Sequence, residues 1–324
     1  MTSFDDIRRS IASELDELNS NISQALHTAN PLMNEIVENY LKANGKQIRP
    51  MLVLLSAKLL GKVTQATVAS AAAIEMLHNA TLIHDDVIDQ TRTRRNAPTV
   101  NAVWDNHVAV LVGDFFVSSS LQAALKTGSM ECVGIIAELG RTLSLGEIEQ
   151  IDNARSHSLS EDAYFDIIQS KTASLFMACV EMGAVTSGAS AAETGQMRQV
   201  ARMLGLCFQI RDDIFDYFDD ESVGKPTGND LREGKVTLPL LYALNRADLP
   251  ECGAMNLLVR KPELSTDEIG TLTEYARRAG GIDYAYARMK ELRDKGVEMI
   301  NRFPASETRD SFVLLFDYII RRKF

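Results

Sequence analysis

Cysteine, proline and tryptophan are scarce in this chain of 324 residues, with four, eight and one copies, and each scarcity excludes something. Cys132, Cys179, Cys207 and Cys252 stand far apart with no C-x-x-C pair, which argues against zinc clusters and disulfide frameworks and predicts reduced, buried thiols. The eight prolines and 19 glycines form no long Ser/Gly/Pro linker. The length would allow two domains, yet the reading is one domain over 1–324. Alternating β-branched segments bounded by turn residues are nearly absent. Ala/Leu/Met/Glu-rich stretches with helical spacing run almost end to end, so the predicted fold is all-α, a large helical bundle. An excess of basic residues is missing as well: the formal net charge is −10, which argues against nucleic acid as a partner. No stretch shows the ~18 or more uncharged residues of a membrane span. Residues 1–30 read as an amphipathic helix with no apolar signal core, and the expected location is the cytoplasm.

What is abundant is apolar sequence without interruption. Pro50–Leu60, Ala69–Ile83, Val108–Ala124 and Thr172–Thr186 are apolar on more than one face, as helices inside a large bundle are. Into this background are set two copies of one acidic pattern, Asp85-Asp86-Val-Ile-Asp89 and Asp212-Asp213-Ile-Phe-Asp216. On a helix, positions i, i+1 and i+4 lie within an arc of roughly 100°, so each copy projects its carboxylates from one side. Packed carboxylates near an apolar core repel one another and take up protons unless a cation sits among them. An oxygen-only ligand set on helices suits magnesium, which shares its shell with water and phosphate oxygens. A single acidic run could be a solvated helix face. These two are embedded in apolar sequence, whereas Asp219, Asp220 and Glu221 follow in a polar stretch and read as loop.

Cations gather beside the acidic patterns. Arg94-Arg95 lie in the polar connector after the first. Lys46 and Arg49 stand three apart at a helix entry, where they share a face and backbone N–H groups are unpaired. Gly224-Lys225 and Gly234-Lys235 follow the second pattern in a glycine-punctuated segment. Any one of these could be a plain salt bridge. Together they fit two diphosphates, one held through metal and one gripped directly by Arg and Lys. His78 lies two helical turns before Asp85 on nearly the same face. Glu75-Met-Leu-His78 also matches the Glu-x-x-His of di-iron bundles, but no second copy exists.

Leu82-Ile-His-Asp85-Asp-Val-Ile-Asp89 with Arg94-Arg95, then Phe208-Gln-Ile-Arg-Asp212-Asp-Ile-Phe-Asp216, Gly224-Lys-Pro and Glu233-Gly-Lys235-Val-Thr-Leu-Pro239 together resemble the trans-isoprenyl diphosphate synthases, particularly the long-chain polyprenyl synthases. The likeness covers Gly45 to about Leu244, with the two acidic motifs 127 positions apart. It implies an isoprenoid-synthase bundle around a central substrate cavity, and head-to-tail condensation of an allylic diphosphate, farnesyl or geranylgeranyl, with isopentenyl diphosphate. By the same resemblance Asp85, Asp86, Asp89, Asp212 and Asp216 hold Mg2+, three ions bound with the allylic diphosphate, with Asp213 in support. Arg94, Lys171, Lys225 and Lys235 neutralise that leaving group, and Lys46, Arg49, His78 and Arg95 bind isopentenyl diphosphate. Thr172 and Gln209 turn oxygens toward the allylic cation. Two departures stand out. Asn96 replaces the usual Gly after the Arg pair, and Gln47 replaces a common Arg between Lys46 and Arg49.

Residues 219–232, polar and glycine-rich, form a candidate lid over a reaction that must exclude water. Upstream of Asp85 the helix passes Thr81, Leu77 and Ala73, with Ala80 beside Thr81. Short-chain members of the resembled family place an aromatic four or five residues before the first Asp; here those positions are small. At ~5.4 Å per turn this open path points to about thirty to forty carbons, against the alternative of a farnesyl or geranylgeranyl synthase. Rival readings are a terpene cyclase, which would not need the Lys46, Arg49, His78 and Arg95 set, and a non-catalytic synthase subunit, which would lack the acidic motifs. A homodimer is expected, with transient membrane contact for product release.

Overall fold

The computed structural model describes residues 3–42, 45–156, 158–218 and 228–322. The helices fall in chain order as α1 (Phe4–Arg9), α2 (Ala12–Leu26), α3 (Pro31–Lys42), α4 (Ile48–Leu60), α5 (Gln65–Ile88), α6 (Val100–Val103), α7 (Asn106–Lys126) and α8 (Met130–Ser156). They continue as α9 (Glu161–Ile168), α10 (Ser174–Ser187), α11 (Ala191–Phe215), α12 (Asn229–Arg232), α13 (Leu238–Leu244), α14 (Cys252–Leu258), α15 (Thr266–Arg278), α16 (Gly281–Ile300) and α17 (Glu307–Arg321). A π turn over Gln169–Ala173 joins α9 to α10. The all-α expectation holds, and all four cysteines are free and buried.

One small exception to the helical reading lies after α5. Strands β1 (Thr93–Arg94) and β2 (Ala97–Pro98) pair antiparallel, Arg94 opposite Ala97. Arg95 and Asn96 turn the corner at φ of 52° and 60°, the left-handed pair that a two-residue hairpin demands. Asn tolerates that conformation through its short polar side chain, which is how Asn96 stands where the resembled family has Gly.

The chain divides into two compact units. Unit 1 comprises Met1–Gly140, Phe176–Arg198 and Ser306–Ser311. Its centre is α5, whose start is fixed by a capping box: the Thr64 hydroxyl accepts from the Thr67 N–H, and the Thr67 side chain answers to the Thr64 N–H. The run Ala71-Ala72-Ala73 is buried, and its small side chains let α7 approach closely enough for Ser120 Oγ to donate to the Ala73 carbonyl at 2.7 Å. At Gly113 a Cβ would stand 2.2 Å from His84 Nε2, so any larger residue would have to push the imidazole ring aside. α7 is also the one helix among the described residues long and apolar enough to cross a membrane by length and composition, although Asp114 interrupts its uncharged run. Its inner face, with Ala109, Val112, Phe116 and Ala124, is buried.

Unit 2 comprises Arg141–Leu175, Gln199–Ala305 and Phe312–Phe324. Leu240, Leu244, Ile269 and Leu272, all at most 4% exposed, form part of one core cluster, and α13 is started by Pro239 in its first turn. Gly296 on α16 admits the ring of Phe316 on α17, whose Cζ lies where a Cβ would come within 2.3 Å. Inside this unit the π turn carries Lys171 and Thr172; a π turn rotates the following residues out of α-helical register, a device common at functional sites.

Candidate active site

Both acidic motifs sit at the C-terminal ends of long helices. Asp85 and Asp86 occupy the last turn of α5 and Asp89 is its C-cap; Asp212 and Asp213 occupy the last turn of α11, with Asp216 just beyond Phe215. A helix C-terminus carries the negative pole of the macrodipole, so carboxylates there are held against the field. Such placement needs cations, and the two units supply them differently.

In unit 1, Asp86 is 3% exposed and its Oδ1 accepts from Arg94 Nε at 2.9 Å and Nη2 at 2.8 Å. The hairpin is fastened to the same spot, since the Thr91 N–H donates to the Asp86 carbonyl at 2.9 Å and Asn101 Nδ2 at 3.1 Å. Asp85 is half-buried and Asp89 exposed. Arg95 reaches back to the loop before α4: a Cβ on Gly45 would stand 2.7 Å from the Arg95 Cζ, so the absent side chain of Gly45 makes room for the guanidinium beside exposed Lys46. Arg49 lies over the Phe176 ring at 5.6 Å. His78 is buried, and burial first, then the charges of Arg49, Arg95 and Arg94, holds its pKa well below the usual imidazole value. Half-buried Glu75 is pushed up by burial while Arg49 and Arg95 pull it down. The predicted set Arg49, His78, Arg94 and Arg95 is thus brought into one electrostatic neighbourhood. Glu75, weighed from sequence only as part of a di-iron motif, stands among its arginines. Gln47 is turned away, donating to Asn19 Oδ1 at 2.7 Å.

In unit 2, Asp213 is 4% exposed and both its oxygens are taken. Tyr164 donates to Oδ2 at 2.5 Å and Gln209 Nε2 to Oδ1 at 2.8 Å, while Gln209 Oε1 accepts from Thr172 Oγ1 at 2.6 Å. Burial lifts the Asp213 carboxyl to about 7; the Tyr164 and Gln209 bonds pull against this, and Asp212 and Asp216 add repulsion. Asp216 accepts from the N–H groups of Asn229 at 3.0 Å and Asp230 at 3.1 Å. Asp212 accepts from Arg322. Lys171 pairs with Glu147 at 2.5 Å, and Lys235 with Glu233. Tyr164, Lys171, Thr172, Gln209, Asp213 and Lys235 all line a cavity of about 140 Å³. Tyr164, Glu147 and Arg322 were not legible as site residues, because each reaches the motif from 49 or more positions away or through another residue's side chain. Lys225 and most of the candidate lid lie outside the described residues; of its remainder, Asn229–Arg232 form α12.

The family model for polyprenyl synthetase matches residues 30–275. The chain belongs to the polyprenyl synthetase family. It is 31% identical to the octaprenyl diphosphate synthase of Haemophilus influenzae over 328 residues, covering 100% of this chain and 98% of that one. Among solved structures it is similar to a polyprenyl synthase from Caulobacter crescentus in complex with calcium and isoprenyl diphosphate, at a TM-score of 0.91 and 33% identity, covering 99% and 98% of the two chains. It is also similar to a geranylgeranyl pyrophosphate synthase from Bacteroides thetaiotaomicron, at 0.85 and 37%, covering 98% of each. This polyprenyl synthetase is therefore a prenyltransferase with the all-α isoprenoid synthase fold.

Among the described residues no three acidic, His or Cys side chains converge on one point to enclose an ion. The reason is visible in the partners: Asp86 faces Arg94, Asp212 faces Arg322, Asp213 faces Tyr164 and Gln209, and Asp216 faces two N–H groups. The donor set nonetheless suits a hard divalent ion. The candidate donors are all carboxylate oxygens, and the pKa values of Asp213, Asp216 and Asp230 are each raised by burial, with further repulsion from neighbouring carboxylates.

Of the residues expected to line the tunnel, Ala73 and Ala80 are 0% exposed and Leu77 4%. Thr81 is half-buried and its hydroxyl donates to the His78 carbonyl at 2.8 Å.

Proposed function

We propose that this enzyme condenses an allylic diphosphate with isopentenyl diphosphate, head to tail, to give a long trans-polyprenyl diphosphate, with the whole chain acting as one synthase domain. The observation that carries the reading is the placement of both acidic motifs at helix C-termini, where the macrodipole disfavours carboxylates and a bound cation would offset it. Long-chain synthesis, rather than farnesyl or geranylgeranyl production, agrees with the full-length match to an octaprenyl synthase and with small residues at positions 80 and 81.

Asp85, Asp86, Asp89, Asp212 and Asp216 would hold Mg2+, with Asp213 as their buried support; bound there, the ions supply charge to the departing diphosphate. Arg94, Lys171, Lys225 and Lys235 add positive charge around the same leaving group. Lys46, Arg49, His78 and Arg95 bind isopentenyl diphosphate; neutral His78 offers a hydrogen bond without adding charge. The allylic carbon–oxygen bond breaks with its electron pair leaving on the diphosphate. The alkene of isopentenyl diphosphate attacks the cation, and the proton lost from the new chain goes to the released diphosphate. Thr172 and Gln209, fixed by Asp213, present oxygen lone pairs along that cation's wall.

The enzyme works as a homodimer in this reading. The outer face of α7 exposes Val110, Leu111 and Leu125 at 42%, 65% and 59%, an apolar surface suited to a second copy. The site lies in the cytoplasm, and the apolar product leaves by transient membrane contact. Incubating pure protein with magnesium, farnesyl diphosphate and labelled isopentenyl diphosphate, then sizing the products, tests the function. A folded protein that turns over only after a second protein is added would make it a subunit; one that cyclises a single substrate would make it a cyclase.

A further inference from the structure

Arg322 follows α17, and its guanidinium closes on Asp212 Oδ1 while Nη2 also donates to the Phe208 carbonyl at 3.3 Å. Only 10% of its side chain is exposed. The group is shelved on aromatic rings, with Cζ 4.1 Å from the Phe208 centroid and 5.4 Å from that of Phe215. Its main chain is anchored too: Arg211 Nη2 donates to the Arg322 carbonyl at 2.7 Å, and Arg211 itself stacks on Phe215 at 4.4 Å and bonds the Tyr286 hydroxyl. A free surface ion pair is worth little because two long side chains must be ordered in water. This pair is shielded, stacked and fixed through both side chain and backbone.

We propose that Arg322 is a tethered counter-ion of the second acidic motif, a positioning residue that holds Asp212 in the metal-free enzyme and competes with a divalent ion for it. The inference rests on the reading of Asp212 as a metal ligand. Asp213 is held by neutral groups of Tyr164 and Gln209, and Asp216 by backbone N–H groups; Asp212 is held by a full positive charge. A metal ion arriving there meets a carboxylate already neutralised, and either displaces the guanidinium along its aromatic shelf or binds beside a like charge in a half-buried setting. Both routes weaken binding, so the end of α17 sets the metal concentration at which the second motif fills.

Manganese alone, titrated into the full chain and followed by the electron paramagnetic resonance of the free ion, provides the test. Arg322→Gln should bind Mn2+ at least roughly fivefold more tightly, the low end of a coupling between sites, and Arg322→Lys should stay near wild type. Arg322→Met, which keeps the contact with Phe208 and Phe215 but not the charge, should match the Gln variant and replaces it if Gln lowers the thermal midpoint. Asp212→Asn should weaken binding, and in the Asp212→Asn background the Arg322 effect should vanish. If Asp212→Asn leaves manganese binding unchanged, the ligand reading falls and the inference with it. If Asp212→Asn weakens binding while neither neutral Arg322 variant binds more tightly than wild type, the ligand reading stands and the counter-ion role is overturned.

Discussion

Tyr164 donates its hydroxyl hydrogen to Asp213 Oδ2 at 2.5 Å, joining α9 to the end of α11 across 49 positions of sequence. On the other oxygen sits Gln209 Nε2, which forces Gln209 Oε1 to face Thr172. The chain Tyr164–Asp213–Gln209–Thr172 is therefore a single hydrogen-bonded relay, and the orientation of two residues read as facing the allylic cation depends on a tyrosine that the sequence does not mark.

Tyr164→Phe should expose that dependence. The substitution keeps the ring packing, including the edge contact with Phe165 at 5.4 Å, and removes one donor from a buried carboxyl. Stability should drop by about 1–3 kcal/mol, measured as a shift of the urea midpoint at pH 7.5, and kcat should fall while KM for isopentenyl diphosphate stays near wild type. An unchanged midpoint together with unchanged kcat would show that Asp213 does not need the tyrosine.

His78 should make unit 1 sensitive to acid. Its pKa in the folded state is depressed, by burial and by Arg49, Arg95 and Arg94, so the unfolded chain binds a proton that the folded chain refuses. Stability from this residue is complete above the ordinary value near 6.5 and is lost as pH falls below it, at up to ~1.4 kcal/mol per pH unit. Urea midpoints measured between pH 7.5 and 5 should fall more steeply for wild type than for His78→Gln. Parallel curves would place the acid sensitivity elsewhere.

Gly45 offers a way to move Arg95 without removing it. Gly45→Ala would set a methyl group 2.7 Å from the Arg95 Cζ, and a flexible guanidinium yields more readily than backbone. Thermal stability should change little, whereas KM for isopentenyl diphosphate should rise several-fold. Arg95→Ala should raise it by about ten- to a hundredfold, the loss of a charge-assisted contact worth roughly 1.5–3 kcal/mol. If Arg95→Ala altered only the allylic KM, the division of the two diphosphates between the cation sets would be wrong.

How far the sequence reaches is plain from these residues. The apolar periodicity placed the long helices, and the i, i+1, i+4 spacing put the first two carboxylates of each motif on one, because both signals are local; it missed that each helix stops before the third, with Asp89 the C-cap of α5 and Asp216 past the end of α11. Arg94 beside Asp86 was within reach, eight residues away. Tyr164, Glu147 and Arg322 were not, since nothing local marks a tyrosine, a glutamate or a C-terminal arginine as partner to a distant side chain. The hairpin at Arg95-Asn96 was read only as a polar connector, because two-residue strands leave no alternating pattern to detect. α7 shows the opposite failure: its charge-poor run reads as fully enclosed, yet Leu111 and Leu125 are exposed, and composition alone does not tell an exposed apolar face from a core.

Product length should respond to position 81. Thr81 lies one turn before Asp85 on the same helix, is half-buried, and spends its hydroxyl on the His78 carbonyl within that helix, so replacing it breaks no link to a neighbouring element. Ala80, by contrast, is 0% exposed, and Ala80→Tyr would force a ring into packed space at a cost of about 1–3 kcal/mol. Thr81→Phe is thus the cleaner obstruction. If the growing chain runs down α5 from the first acidic motif, a ring at 81 meets it about one 5.4 Å turn below the motif. Growth should then stop well short of the wild-type length. The first condensation should keep its rate, because Arg94 and Arg95, proposed to contact the diphosphates, are untouched. Products are sized after incubation with labelled isopentenyl diphosphate, with the thermal midpoint measured on the same sample. A stable, active Thr81→Phe enzyme still making the wild-type length would remove the tunnel from this face of α5.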